Sequence, residues 1–105
     1  MNEYVRKEYG VDFVDTITEA GPDGILDSAS PLVEGIRERA AVSVNKHGSR
    51  VIAVVGHFDC AGNPVDERTH FENIRNAVKK VSAWFPGIEV VGLWVGEEWT
   101  VSQAV

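Results

Sequence analysis

Short apolar runs alternate along the chain with longer segments whose apolar residues recur at helical spacing. Residues 50–56 (RVIAVVG) contain a continuously apolar, β-branched run, which is typical of a strand covered on both faces in a parallel sheet. Residues 88–95 (IEVVGLWV) resemble this run, and residues 12–18 place Phe13 and Ile17 on one face of a further strand. We therefore predict an α/β fold, with a short, mostly parallel β-sheet flanked by helices.

Two long helices are predicted between and beyond these strands. Ser30 followed by Pro31 has the pattern of an N-cap and a first helical turn. Gly48 suits the left-handed position that ends a helix, so the first long helix is placed at 31–47.

The second long helix is placed at 67–84, where Thr69 and Glu72 can form a capping box. A short helix is predicted for residues 3–9, ahead of a glycine, and a short edge strand for residues 99–101. The order of the elements gives two strand-helix-strand units with right-handed crossovers.

Composition and charge narrow the function classes. With 105 residues, of which 44% are hydrophobic and 25% charged, the chain has the size and composition of one folded domain spanning 1–105. Its formal charge of -6 repels phosphate backbones and anionic lipid, so we expect no nucleic acid and no membrane as partners. No apolar run approaches the roughly 20 residues of a membrane span, and the first residues do not read as a signal peptide. We expect a cytoplasmic protein.

One loop carries residues suited to chemistry. His57 and Cys60 follow the central predicted strand directly, and ligands in open parallel sheets bind beyond the carboxyl ends of the strands. A His-x-x-Cys pair suits zinc, which accepts both imidazole nitrogen and thiolate sulfur. Gly56 and Gly62 flank the pair and let the backbone approach an ion closely.

Other interpretations of the same residues stay open. The pair can be two ordinary residues, with Cys60 as a buried apolar side chain, or Cys60 can be a nucleophile with His57 or His70 as its base. A catalytic zinc needs about three protein ligands and one open position, and this loop gives two. Asp59, His70 or a second subunit are candidates for the third. We expect His70 to face solvent at a helix start, Asp59 to cap its loop, and His47 to interact with a helix C-terminus.

Residues 54–62 (VVGHFDCAG) resemble the second zinc-ligand motif of the β-class carbonic anhydrases. Residues 14–21 (VDTITEAG) resemble the strand and Ala-Gly turn before the first long helix of that family, and 88–95 its strand after the second, so the likeness covers nearly the whole chain. The resemblance implies zinc as cofactor, His57 and Cys60 as metal ligands, reversible hydration of carbon dioxide to bicarbonate, and a homodimer with its active site near the interface.

The chain departs from the family pattern in its chemistry. Family members usually begin with a strand that ends in Cys-x-Asp-x-Arg, which gives another zinc thiolate and an Asp-Arg pair, and the sequence holds neither that motif nor a second cysteine. We expect a chain truncated relative to the family, with an incomplete zinc site, no assignable catalytic residues, and little or no activity alone. Two alternatives remain. The first is a non-catalytic oligomeric remnant of the family, with or without bound zinc, and the second, less favoured, is a Cys-dependent hydrolase.

The missing strand also has a consequence for assembly. In the family it lies between the strands that resemble 12–18 and 50–56, so its loss leaves backbone groups unpaired in the middle of a sheet. Either residues 12–18 pair directly with 50–56, or the chain's tail or a second subunit fills the gap. We expect a homodimer.

Overall fold

The computed structural model describes residues 1–105 as four helices and one three-stranded sheet, which confirms the predicted α/β class. In chain order the elements are α1 (Asn2–Tyr9), α2 (Pro22–Leu26), α3 (Leu32–His47), β1 (Val51–His57), α4 (Glu67–Trp84), β2 (Glu89–Val95) and β3 (Val101–Gln103). None of the helices combines the length and the apolar character that crossing a bilayer requires.

The sheet has the order β1-β2-β3 and is mixed. β1 and β2 run parallel, joined by α4, with Val51 opposite Glu89 and His57 opposite Val95. β3 runs antiparallel to β2, with Val95 opposite Val101. Strands are confirmed at the positions predicted as 50–56 and 88–95. The edge strand begins later than predicted, because Trp99 lies in a turn with a positive φ of 60°.

The predicted strand at 12–18 is wrong, because this segment forms no strand. The Asp15 carboxylate accepts hydrogen bonds from Ser43 Oγ and His47 Nδ1 on α3, each at 2.7 Å. Both bonds lower the pKa of Asp15 below its usual value, and the bond with His47 has the larger effect. Phe13 lies 91% exposed instead of on a core face. Side-chain hydrogen bonds to α3 therefore hold this segment in place, instead of the backbone hydrogen bonds of the predicted strand.

The loss of that strand changes the sheet. The chain contains one strand-helix-strand unit instead of two, and β1 has a strand neighbour on one side only. Direct pairing of 12–18 with 50–56, one of the two expected ways to close the gap, is therefore contradicted in this single chain. β1 is an edge strand.

Side-chain caps fix the starts of the long helices. α3 begins one residue later than predicted, with Pro31 instead of Ser30 at the N-cap position, although Ser30 Oγ still accepts from Leu32 N at 3.2 Å. Asp66 caps α4 instead of the predicted capping box, because its carboxylate accepts from Thr69 N at 2.8 Å and Thr69 is already inside the helix. The observed bounds of α3 and α4 agree with the predicted helices at 31–47 and 67–84.

The core lies between α4 and the sheet, where Ile74 is fully buried. Ile74 sits against Gly92 of β2 and Gly56 of β1, and a Cβ added at Gly92 would overlap Ile74 Cγ2. Leu26 and Ile36 extend the same core from α2 and α3. The two strand glycines therefore let α4 approach the sheet closely, which positions its first turn beside the end of β1.

Gly92→Ala should lower the free energy of unfolding by about 1 to 3 kcal/mol, because its methyl group must displace Ile74 from a packed core. The matched control is Gly35→Ala on α3, where an added Cβ meets only Arg39 Nη2 at 4.0 Å. The control should raise stability by up to about 1 kcal/mol through helix propensity. Urea denaturation measures both, and a neutral Gly92→Ala variant would contradict the close approach of α4.

Candidate functional site

His57 and Cys60 lie at the carboxyl end of β1, as the sequence predicts, with Cys60 in the loop that follows the strand. His57 ends the strand, and its Nδ1 lies 2.9 Å from the carbonyl oxygen of Phe58. An Nδ1–H that donates to this carbonyl leaves Nε2 with the lone pair, the form in which imidazole binds a metal. Cys60 is a buried free thiol.

The loop that carries Cys60 is held at its start and near its middle. Phe58 N donates to Val95 O at 2.8 Å, which ties the start of the loop to β2. Farther along, Gly62 lies against the backbone of Ala20 and Gly21, so closely that an added Cβ would overlap Ala20. Any side chain larger than hydrogen at Gly62 would therefore push the loop away from the turn before α2.

The expectation that His70 faces solvent is wrong. His70 lies in the first turn of α4, and its Nδ1 is 2.7 Å from Asp23 Oδ2 on α2. The side chains of His70 and Asp23 are only 2% and 1% exposed. Gly56 makes room for the pair, since an added Cβ there would lie 2.9 Å from Asp23 Oδ2. Tertiary packing of α2 over the end of β1 buries an imidazole that its place in a helix start would expose.

A chain of amides supports the pair. Asn63 Nδ2 donates to Asp23 Oδ1 at 3.3 Å and to Asn73 Oδ1 at 2.9 Å. Asn73 Nδ2 and Asn76 Nδ2 donate in turn to Asp27 Oδ2, at 2.8 and 3.1 Å. The network connects α2, the loop after β1 and α4, so the position of Asp23 is fixed from several sides.

A cleft of about 590 Å³ opens beside Cys60, and we call it the Cys60 cleft. Its lining residues are Phe58, Asp59, Cys60, Ala61, Pro64, Val65, Asp66, Glu67, His70, Trp94, Gly96 and Glu97. The lining contains a thiol, an imidazole and four carboxylic acids, and neither lysine nor arginine. His57 is not part of this lining.

Sequence reasoning missed Asp23 and Asn63. Asp23 lies in a Gly-Pro-Asp-Gly segment that indicates only a turn, and Asn63 lies in a polar loop. Their roles depend on contacts with residues 47 and 40 positions away along the chain. A sequence pattern limited to local spacing contains no signal for such contacts.

Zinc is the metal that the His-x-x-Cys motif suggests. Imidazole and thiol are both zinc ligands, so the donor types fit. In this conformation, however, no three side chains of His, Cys, Asp or Glu form a group able to hold a metal ion. The chain therefore presents suitable donors without a formed three-ligand centre.

The comparisons with known proteins bear on the whole chain. A family model described as "Putative carbonic anhydrase" matches residues 1–105. No curated protein and no solved structure matches the chain.

Asp23→Ala should lower the free energy of unfolding by about 1 to 3 kcal/mol, because it leaves a buried N–H of His70 without an acceptor. Asp23→Asn should cost less, since its amide oxygen can still accept. Asp12→Ala, at an exposed position, is the control and should be almost neutral. If thermal and urea unfolding find Asp23→Ala as harmless as the control, the buried pair is not a stabilising contact.

Proposed function

Because the chain belongs to the carbonic anhydrase family whose model spans residues 1–105, we propose that it is a carbonic-anhydrase-like zinc protein with His57 and Cys60 as metal ligands. We further propose that the chain alone hydrates carbon dioxide weakly or not at all. The observation that supports the first part most strongly is the position of this His-x-x-Cys pair at the carboxyl end of β1.

The state of His57 supports its role as a ligand. Metal-binding histidines usually donate their second ring N–H to a carbonyl or a carboxylate, which fixes the ring and the tautomer. The contact of His57 Nδ1 with the Phe58 carbonyl is of this kind. Cys60 contributes the softer donor, and its sulfur would favour zinc over magnesium or calcium.

The number of donors underlies the proposal of weak activity. Bound zinc supplies the Lewis acidity that activates water in this family, and such catalysis uses about three protein ligands and an open position. His57 and Cys60 are two, the sequence contains one cysteine, and no three-donor group is formed in this conformation.

A thiol hydrolase is less well supported by the geometry. Such an enzyme needs the thiol and its base within hydrogen-bond reach. No hydrogen bond joins Cys60 to a histidine, since His57 Nδ1 contacts the Phe58 carbonyl and His70 Nε2 is without a partner.

We propose that a second copy of this chain covers the outer edge of β1. The strand carries no charged residue from Val51 to Gly56, and charges are the usual protection of a free edge against pairing. Elsewhere on the chain Phe13 is 91% exposed, and Trp99, in the turn between β2 and β3, is 79% exposed. Self-association across a two-fold axis pairs such an edge with its own copy.

Zinc content tests the proposed ligands. After loading with Zn²⁺ and gel filtration, the unmodified protein should retain zinc, and Cys60→Ser and His57→Gln should lose most of it, because each removes one of two donors. His47→Gln, at an exposed histidine of α3, is the matched control and should retain the metal. Unchanged zinc content in Cys60→Ser would contradict the site.

Stopped-flow hydration of carbon dioxide by the zinc-loaded sample should proceed little faster than in buffer, because the donor set is short of a catalytic centre. A rate comparable to that of an efficient carbonic anhydrase would overturn the proposal of weak activity.

Sedimentation at micromolar concentration should give a species of twice the 11.5 kDa chain mass. A folded, monodisperse monomer across the concentration range would contradict the dimer.

A further inference from the structure

One buried histidine nitrogen, Nε2 of His70, belongs to a residue that lines the Cys60 cleft and is not used by the His57–Cys60 pair. We propose that His70 Nε2 is a zinc ligand that acts together with Cys60, and that Asp23 positions it. The inference rests on the proposed zinc function and deepens it, because it names a further ligand from the same chain.

The contact with Asp23 determines which nitrogen is free. An ionised carboxylate only accepts hydrogen bonds, so the 2.7 Å contact makes His70 Nδ1 the donor. In the neutral imidazole Nε2 then carries the lone pair. The arrangement of carboxylate, histidine and open Nε2 is the one that orients zinc-binding histidines in proteins.

His70 Nε2 has no partner in the protein. The atom is buried and makes no hydrogen bond, and it is the one buried side-chain nitrogen or oxygen in this state. Trp94 packs against the ring, with 5.2 Å between the ring centroids and the planes tilted by 46°, and forms no hydrogen bond with Nε2. Buried polar atoms are almost always satisfied, and an exception points to a group that binds there.

The charges of the cleft favour a cation over an anion. Four carboxylic acids line it, from Asp59, Asp66, Glu67 and Glu97, with no lysine or arginine among the lining residues. A hydrogen bond from Thr69 lowers the pKa of Asp66, so this carboxylate stays ionised at pH values below its usual pKa. A hard cation would use the oxygens alone, whereas the thiol and imidazole in the same cleft suit zinc.

His70 also changes the count of donors. With His57 and Cys60 it brings the protein ligands to three, which leaves one tetrahedral position open. These residues do not form a metal-binding group in the present conformation. Zinc binding by all three residues therefore requires a rearrangement that brings His57 and Cys60 to His70, against the contacts that hold the loop at Phe58 and Gly62.

Nuclear magnetic resonance of the full chain tests the proposal, because the sequence contains only three histidines. Long-range ¹H–¹⁵N spectra of the ¹⁵N-labelled protein resolve each ring, and one equivalent of Zn²⁺ is the probe. We expect the zinc-free His70 to show Nδ1 protonated, and we expect Zn²⁺ to shift its Nε2 signal together with the ring signals of His57. His47 should not change.

The outcomes separate this inference from the proposed function. If His57 shifts and His70 does not, the inference is overturned while the zinc pair stands. If no ring changes on addition of Zn²⁺, both are overturned. A shift of His70 without His57 supports His70 as a ligand and removes His57 from the pair.

Variants supply a second measurement. Asp23→Asn should weaken zinc binding about 10- to 100-fold in calorimetric titration, because the neutral amide can still accept from His70 Nδ1 but orients the imidazole less strongly than a carboxylate does. His70→Gln should weaken binding at least as much, with His47→Gln as the unaffected control. Unchanged affinity in a folded His70→Gln protein would overturn the inference, and if that variant fails to fold, the spectra of the unmodified chain decide.

Discussion

Asp23 and His70 meet at 2.7 Å where α2, β1 and α4 converge, and most of the candidate site follows from this contact. It places α2 over the end of β1, where the space is provided by Gly56. It occupies Nδ1 of an imidazole that lines the cleft containing Cys60, and Nε2 is left without a partner. Desolvation offsets much of the attraction within a buried ionisable pair, so the pair adds less to net stability than its short distance implies.

Local patterns were sufficient for the main elements of the fold. The apolar run before His57 and the helical spacing after it predicted β1, α4 and β2, because each is decided by which faces are buried. The failure at 12–18 has a different origin. Its alternation is that of a strand, but strands need a backbone partner, and the bonds from Asp15 to α3 hold the segment elsewhere.

The candidate site divides in the same way. His57 and Cys60 could be predicted because they are close in sequence and follow a recognisable strand. Asp23 could not, since its partner lies 47 residues away and its own surroundings read as a turn. The sequence makes His70 a candidate ligand but predicts that it faces solvent, because the start of a helix contains no information about which element packs over it.

We propose that one chain brings Cys60 and His70 to a common zinc. Anomalous diffraction at the zinc edge from crystals of the zinc-loaded protein tests it most directly, since it locates the metal without reference to activity. We expect a single strong peak in the Cys60 cleft, in contact with Cys60 Sγ and His70 Nε2. A peak that contacts only one of these atoms or neither, or no peak in the cleft, would contradict the shared site.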